Sequence, residues 1–174
     1  MKKTKLVLGF PGVGKTMYYM KKKGKIDVLD SDSSTFPKDG FPSNYIEHIL
    51  ENIGKQDVIF ISTHEVVRKA LKSIDIFSNE NVEGVYLVYP NVILKDVYLE
   101  RYKNRGNDEK FIKILDDMFE NWIDELENES SKFRKFRINE DGIYVCCMSL
   151  WMPSFRCSPS MITTTTSTVT MPPT

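Results

Sequence analysis

The residues GFPGVGKT, Gly9 to Thr16, fit the spacing G-x-x-x-x-G-K-[ST] in full. Glycines at 9, 12 and 14 open backbone conformations that a Cβ would forbid. Successive N–H groups, including those at Val13 and beside Pro11, can then turn inward around an anion. A helix beginning near Lys15 would add the positive end of its dipole. The Lys15 ammonium has the reach for β- and γ-phosphates, and the Thr16 hydroxyl suits a Mg²⁺ position. The spacing does not fit the dinucleotide pattern G-x-G-x-x-G. A glycine-rich turn that merely joins strand to helix is the bland alternative. The full octapeptide, set between an apolar run and a helical segment, favours a loop that holds a nucleoside triphosphate, with ATP and Mg²⁺ as the expected ligands.

Three further groups bear on the fate of that phosphate. In VLDSDSSTF, Asp30 and Asp32 are two apart, so on an extended strand they share one face. A carboxylate there could accept the proton of an attacking hydroxyl or hold Mg²⁺ through water. Both could equally serve as turn formers or helix caps. In ERYKNRG, Arg101 and Arg105 stand four apart on one face of an expected helix. They could clamp a transferring phosphoryl group, or simply serve a solvated helix end. In IFISTHEVVRKAL, His64 follows a strand that lacks the acidic end of many ATPases. His64 then reads as a helix-start residue or a substrate contact.

Short apolar runs alternate with segments of helical period, the pattern of an α/β sheet. The candidate strands are KLVLGF, IDVLDSD, DVIFIST, GVYLVYP and GIYVCCMSL. Several are continuous rather than alternating, which suits a parallel sheet covered on both faces. Helices are expected from Thr16 to near Gly24, over 44–53 with Gly54 as the stop, over 64–73, up to Gly106, and over 108–129. In the last of these, Phe111, Ile114, Leu115, Met118, Trp122, Ile123 and Leu126 recur at spacings of three and four and predict a core-facing stripe.

The 174 residues suit one domain over 1–150, with a disordered Ser/Thr/Pro-rich tail over 151–174. Twenty-four basic residues balance 24 acidic ones, so no global field argues for nucleic acid or an anionic membrane. The opening apolar run is too short for a secretory signal, and no run suits a membrane span. Cys146, Cys147 and Cys157 lack metal-site spacing. A cytoplasmic compartment is the expectation.

GFPGVGKT, LDSDSSTF, FPSNYIEHI, ISTHEVVRKAL, LVYP, LKDVYLERYKNRG and WIDEL together resemble the small P-loop nucleoside- and nucleotide-kinase-like proteins. In particular they resemble a phage and prophage group described as adenylate-kinase-like or AAA-family ATPase, over approximately residues 3 to 126. The resemblance implies a three-layer P-loop NTPase fold, with a five-stranded mostly parallel sheet, helices on both faces and a small lid. It also implies that Lys15 and Thr16 meet phosphate and metal. Asp32 would be the base and a metal contact, with Asp30 as fallback, and Arg101 and Arg105 the lid arginines. The implied activity is transfer of the γ-phosphate to a hydroxyl of a nucleoside, nucleotide or nucleic acid. The alternatives are an ATP-binding switch or ATPase module, a 5-hydroxymethyluracil DNA kinase, and a toxin-like small-molecule kinase.

Overall fold

A computed structural model describes residues 2–144. The expected tail over 151–174 and all three cysteines lie outside the described residues.

Five strands, β1 (Thr4–Gly9), β2 (Val28–Asp30), β3 (Val58–Ile61), β4 (Val82–Pro90) and β5 (Arg134–Ile138), form one sheet in the order β2-β3-β1-β4-β5. Every pairing is parallel. Parallel neighbours need long crossovers, and helices supply them: α1 (Lys15–Lys22), α2 (Ser43–Asn52), α3 (Glu65–Ser73), α4 (Lys95–Asn104) and α5 (Glu109–Glu127). In β1, Leu6, Val7 and Leu8 are all fully buried. Successive side chains point to opposite faces of a strand, so both faces of the sheet are covered. This is the three-layer α/β architecture that the alternating pattern implies. The β1 register against β3 and β4 brings the carboxyl ends of these strands together, where open parallel sheets form their ligand crevice.

The fifth strand differs from expectation. GIYVCCMSL was the candidate, whereas RKFRI at 134–138 pairs with Tyr86 to Pro90 of β4. An edge strand with one neighbour can leave Arg134 and Arg137 in solvent, so it carries no continuous apolar run. Gly142 to Tyr144 are turn and irregular chain, and residues 145–150 lie outside the described residues. The stripe on α5 also differs: Phe119 is fully buried, while Ile114 and Met118 are 52% and 36% exposed. Phe119 meets Phe10 edge-on at 5.4 Å between centroids, fixing α5 beneath the end of β1. The expected lid is a short turn, since α4 ends at Asn104 and Asp108 already caps α5.

One ionic network ties α3 to the end of α5. Buried Arg68 donates from Nε to Glu129 at 2.8 Å and from Nη2 to Glu125 at 3.2 Å, and its Nη1 donates to the Thr63 carbonyl. Lys72 reaches Glu129 at 2.6 Å. Burial alone would raise the Glu129 carboxyl, but hydrogen bonds from Lys72, the Ser130 amide and Arg68 outweigh it and hold it at about 2. A depressed carboxyl contributes stability above its ordinary value of 4.5 and loses it as pH falls towards about 2. Glu129→Gln should therefore destabilise the fold by about 3 kcal/mol at pH 7, since it leaves buried Arg68 poorly paired. Urea unfolding at pH 7 and pH 3 checks this. The gap between variant and parent should shrink at the lower pH, and an equal gap at both would contradict it.

Candidate functional site

The loop between β1 and α1 adopts the conformation its glycines permit. Gly12 and Gly14 have φ of 83° and 91°, in the left-handed region. A Cβ at Gly9 would stand 2.9 Å from the Lys15 side chain. Gly14 is the N-cap of α1, with no side-chain cap and no acidic residue in the first turn. The first-turn amides therefore lack the side-chain oxygen that usually satisfies them, leaving the helix end suited to an anion. Lys21 and Lys22 sit at the opposite, negative end of the helix dipole.

Lys15 bends back over the loop, and its Nζ donates to the Gly9 carbonyl at 2.6 Å. Part of the side chain remains accessible, yet burial around the ammonium pushes it down to about 8. The Asp30 and Asp32 carboxylates oppose this shift, and the Arg105 cation adds to it. Three charged groups thus act on Lys15 from around the same cleft.

Thr16 donates its hydroxyl to Asp30 Oδ2 at 3.0 Å. Asp30 is the last residue of β2, so the strand does not carry Asp32 on the same extended face. Asp32 instead caps the 3₁₀ turn that follows, accepting from the Ser34 amide at 2.9 Å. Both aspartates line the cleft nonetheless. Buried Ser31 lies between them, its hydroxyl without a protein partner. Tyr45 of α2 holds this segment in place: its hydroxyl donates to the Ser31 carbonyl at 2.8 Å and accepts from the Ser62 amide at 3.0 Å. That latch sets the chain after β2 beside the chain after β3. The same tyrosine supports Phe36 and Phe41 at ring distances of 5.0 and 5.7 Å. His64, the N-cap of α3, meets Phe41 edge-on at 6.1 Å. Burial, then the Arg68 and Lys15 cations, lower the His64 imidazole below its usual value, so it is neutral at pH 7.

The cleft measures about 1270 Å³. The glycine loop with Lys15 and Thr16 forms its floor, the Asp30–Phe41 segment and Ser62–His64 one wall, and Tyr102, Arg105, Asn107 and Phe111 the other. The two arginines do not converge. Arg105 borders the cleft, over the Tyr102 ring at 5.6 Å. Arg101 lies behind the loop, paired with Asp141 at 2.5 Å and sandwiched between the Tyr98 and Tyr144 rings. Sequence spacing did not single out Tyr45, Phe36 or Phe41, because aromatic residues in a loop and helix read equally well as core. Their signal was membership of the LDSDSSTF and FPSNYIEHI segments, which carry the resemblance but assign these rings no role.

A phosphate loop between the first strand and first helix of this five-stranded parallel sheet defines the P-loop NTPase fold. No family model and no curated protein matches the chain. Among solved structures it is similar to a de novo designed protein with the P-loop NTPase fold, at 15% identity and TM-score 0.32, over 75% of this chain and 98% of that one. It is also similar to the hydrogenase maturation factor HypB from Archaeoglobus fulgidus, at 13% identity and TM-score 0.29, over 79% of this chain and 80% of that one. Likenesses this distant add nothing to the strand order and loop geometry. Among the described residues no helix is long and apolar enough to cross a membrane.

The state of Lys15 generates a test. A bound polyphosphate would favour the charged ammonium, so association should take up a proton once the free group begins to lose its own near pH 8. Affinity for Mg·ATP should be level from pH 6.5 to 7.5 and fall by up to about tenfold per pH unit above 8. Calorimetric titrations across this range check it, and an affinity unchanged up to pH 9.5 would contradict it.

Proposed function

We propose that this protein is an ATP-dependent phosphotransferase that moves the γ-phosphate of ATP to a hydroxyl of a nucleoside, nucleotide or nucleic-acid acceptor. The observation that carries this reading is the extent of the cleft. At about 1270 Å³ it exceeds the roughly 300–1,000 Å³ usual for a small-ligand site. It also continues past the Thr16–Asp30 pair to a rim of Phe36, Phe41 and His64. That leaves room for a second reactant beyond a triphosphate seated on the loop.

In this reading Gly9, Pro11, Gly12, Val13 and Gly14 present backbone to the phosphates, and Lys15 exchanges its bond to the Gly9 carbonyl for phosphate oxygen. Mg²⁺ fits the oxygen donors at hand, since Thr16 and Asp30 offer a hydroxyl and a carboxylate to a hard cation. Thr16 and Asp30 would hold the ion, with Asp32 adding charge, and its chemistry is neutralisation of the phosphate oxygens. Asp32 keeps one carboxylate oxygen clear of its cap and is the candidate to take the proton from the attacking hydroxyl. Arg105, exposed at the mouth, neutralises charge on the group in transfer. The aromatic rim offers flat surfaces to an acceptor with a ring, and neutral His64 can donate or accept a hydrogen bond there. The work done by the protein is positioning and charge compensation.

A second reading, a nucleotide-dependent switch or ATPase module without an acceptor, draws on the cap made by Asp32, which a purely structural residue would also make. One substitution separates the two. Asp32→Asn preserves the cap, because the amide oxygen still accepts from Ser34. For a kinase it should cut acceptor-stimulated ATP turnover by about 10²–10⁴-fold while leaving ATP affinity near that of the parent. Steady-state turnover against a panel of nucleosides, nucleotides and oligonucleotides, with binding measured separately, reads this out. Turnover that no acceptor stimulates and that Asp32→Asn does not change would favour the switch. Arg105→Ala should lower kcat by about 10²-fold with a much smaller change in ATP affinity. A loss confined to affinity would count against a role in transfer.

A further inference from the structure

We propose that Arg101, held between Tyr98 and Tyr144, forms a buttress behind the phosphate loop that fixes Gly12 and Gly14 in their anion-wrapping conformation before any ligand arrives. Arg101 is then a positioning residue and not a phosphate contact. The proposal rests on the reading that this loop binds a triphosphate.

Each of the two left-handed glycines is backed by a tyrosine ring. A Cβ on Gly12 would lie 3.1 Å from Tyr98 Cδ1, and one on Gly14 would lie 2.9 Å from Tyr144 Cδ1. The Arg101 guanidinium fills the gap between the rings, 4.7 Å from the Tyr98 centroid and 4.6 Å from that of Tyr144. Its Nη2 pairs with Asp141 at 2.5 Å, and its Nη1 lies 3.5 Å from the Gly12 carbonyl oxygen. Close to two tyrosine rings and with two nitrogens engaged, the side chain is only 13% exposed. Tyr98 and Arg101 come from α4, whereas Asp141 and Tyr144 follow β5. Segments far apart in sequence therefore converge on the back of two glycines.

The charge balance favours packing over electrostatics. Asp141 offsets the Arg101 cation, so little net field is left to attract phosphate from behind the loop. What remains is geometric. Glycine is the residue with most conformational freedom to lose, and a loop that must order on binding spends affinity in doing so. Rings pressed against Gly12 and Gly14 remove that freedom in advance, and two cation–π contacts hold the rings in place.

The test uses Arg101→Ala, Tyr144→Ala, the double variant and Tyr144→Phe in the full chain. Each is titrated with Mg·ATP and with Mg·tripolyphosphate, which has no base or sugar. The buttress predicts that either alanine variant weakens both ligands alike, by about tenfold. It predicts that the double variant is little worse than either single, because the residues act as a unit. Tyr144→Phe, which keeps the ring, should bind like the parent. Amide exchange in the ligand-free protein provides an independent arm. Arg101→Ala should speed exchange at Val13, bonded to the Phe10 carbonyl at 3.3 Å, and at Tyr18, bonded to Gly14 at 3.0 Å. The β3 amides should keep their protection. Losses restricted to ATP, additive losses, or unchanged exchange at Val13 and Tyr18 would overturn the buttress. Parent protein that binds neither polyphosphate would defeat the triphosphate reading instead, and the exchange comparison would still decide the buttress.

Discussion

Backbone N–H groups must find partners, and the turn from β1 into α1 supplies no side-chain cap for those at the start of the helix. Gly12 and Gly14 are left-handed, and Lys15 is folded back over the loop. Such an arrangement is costly for a chain unless something negative completes it. Much of the remaining structure serves this turn. Parallel strands on both sides of β1 fix where it begins, Phe119 and Phe10 fix the floor beneath it, and the aromatic cluster around Arg101 limits its freedom from behind.

Around that turn the fold separates two kinds of carboxylate. Asp30 stands at the end of β2 and accepts from the Thr16 hydroxyl. Asp32 stands two residues on, in a segment held by one tyrosine hydroxyl that bridges the ends of two strands. The proposed transfer would use that division, with charge neutralised on one side and a proton managed on the other. The buried hydroxyl of Ser31 lies on the boundary between them.

Much of this was legible in the residues. GFPGVGKT names its own conformation, because glycine spacing constrains backbone directly, and the apolar runs of β1, β3 and β4 are continuous because those strands are covered twice. Legibility failed where tertiary contacts decided the outcome. RKFRI reads as polar chain, yet an edge position lets its arginines reach solvent. Arg101 and Arg105 share a helical face by spacing, but Asp141 and two tyrosines draw the Arg101 side chain behind the loop while Arg105 borders the cleft. Spacing put Asp30 and Asp32 on one extended face, whereas the strand ends at Asp30, which alone of the two accepts from Thr16. Phe119 was missed because a helical stripe of about the right width can be drawn through more than one set of neighbours.

The whole interpretation depends on an anion meeting the loop around Gly12 and Gly14 and the uncapped start of α1. Titrating the folded parent protein with ATP in excess Mg²⁺, in a calorimeter at pH 7, addresses that dependence with no variant in between. Saturable heat with one molecule bound per chain is the predicted result. Absence of any heat of association from protein shown to be folded, with ATP and with other nucleoside triphosphates, would contradict it.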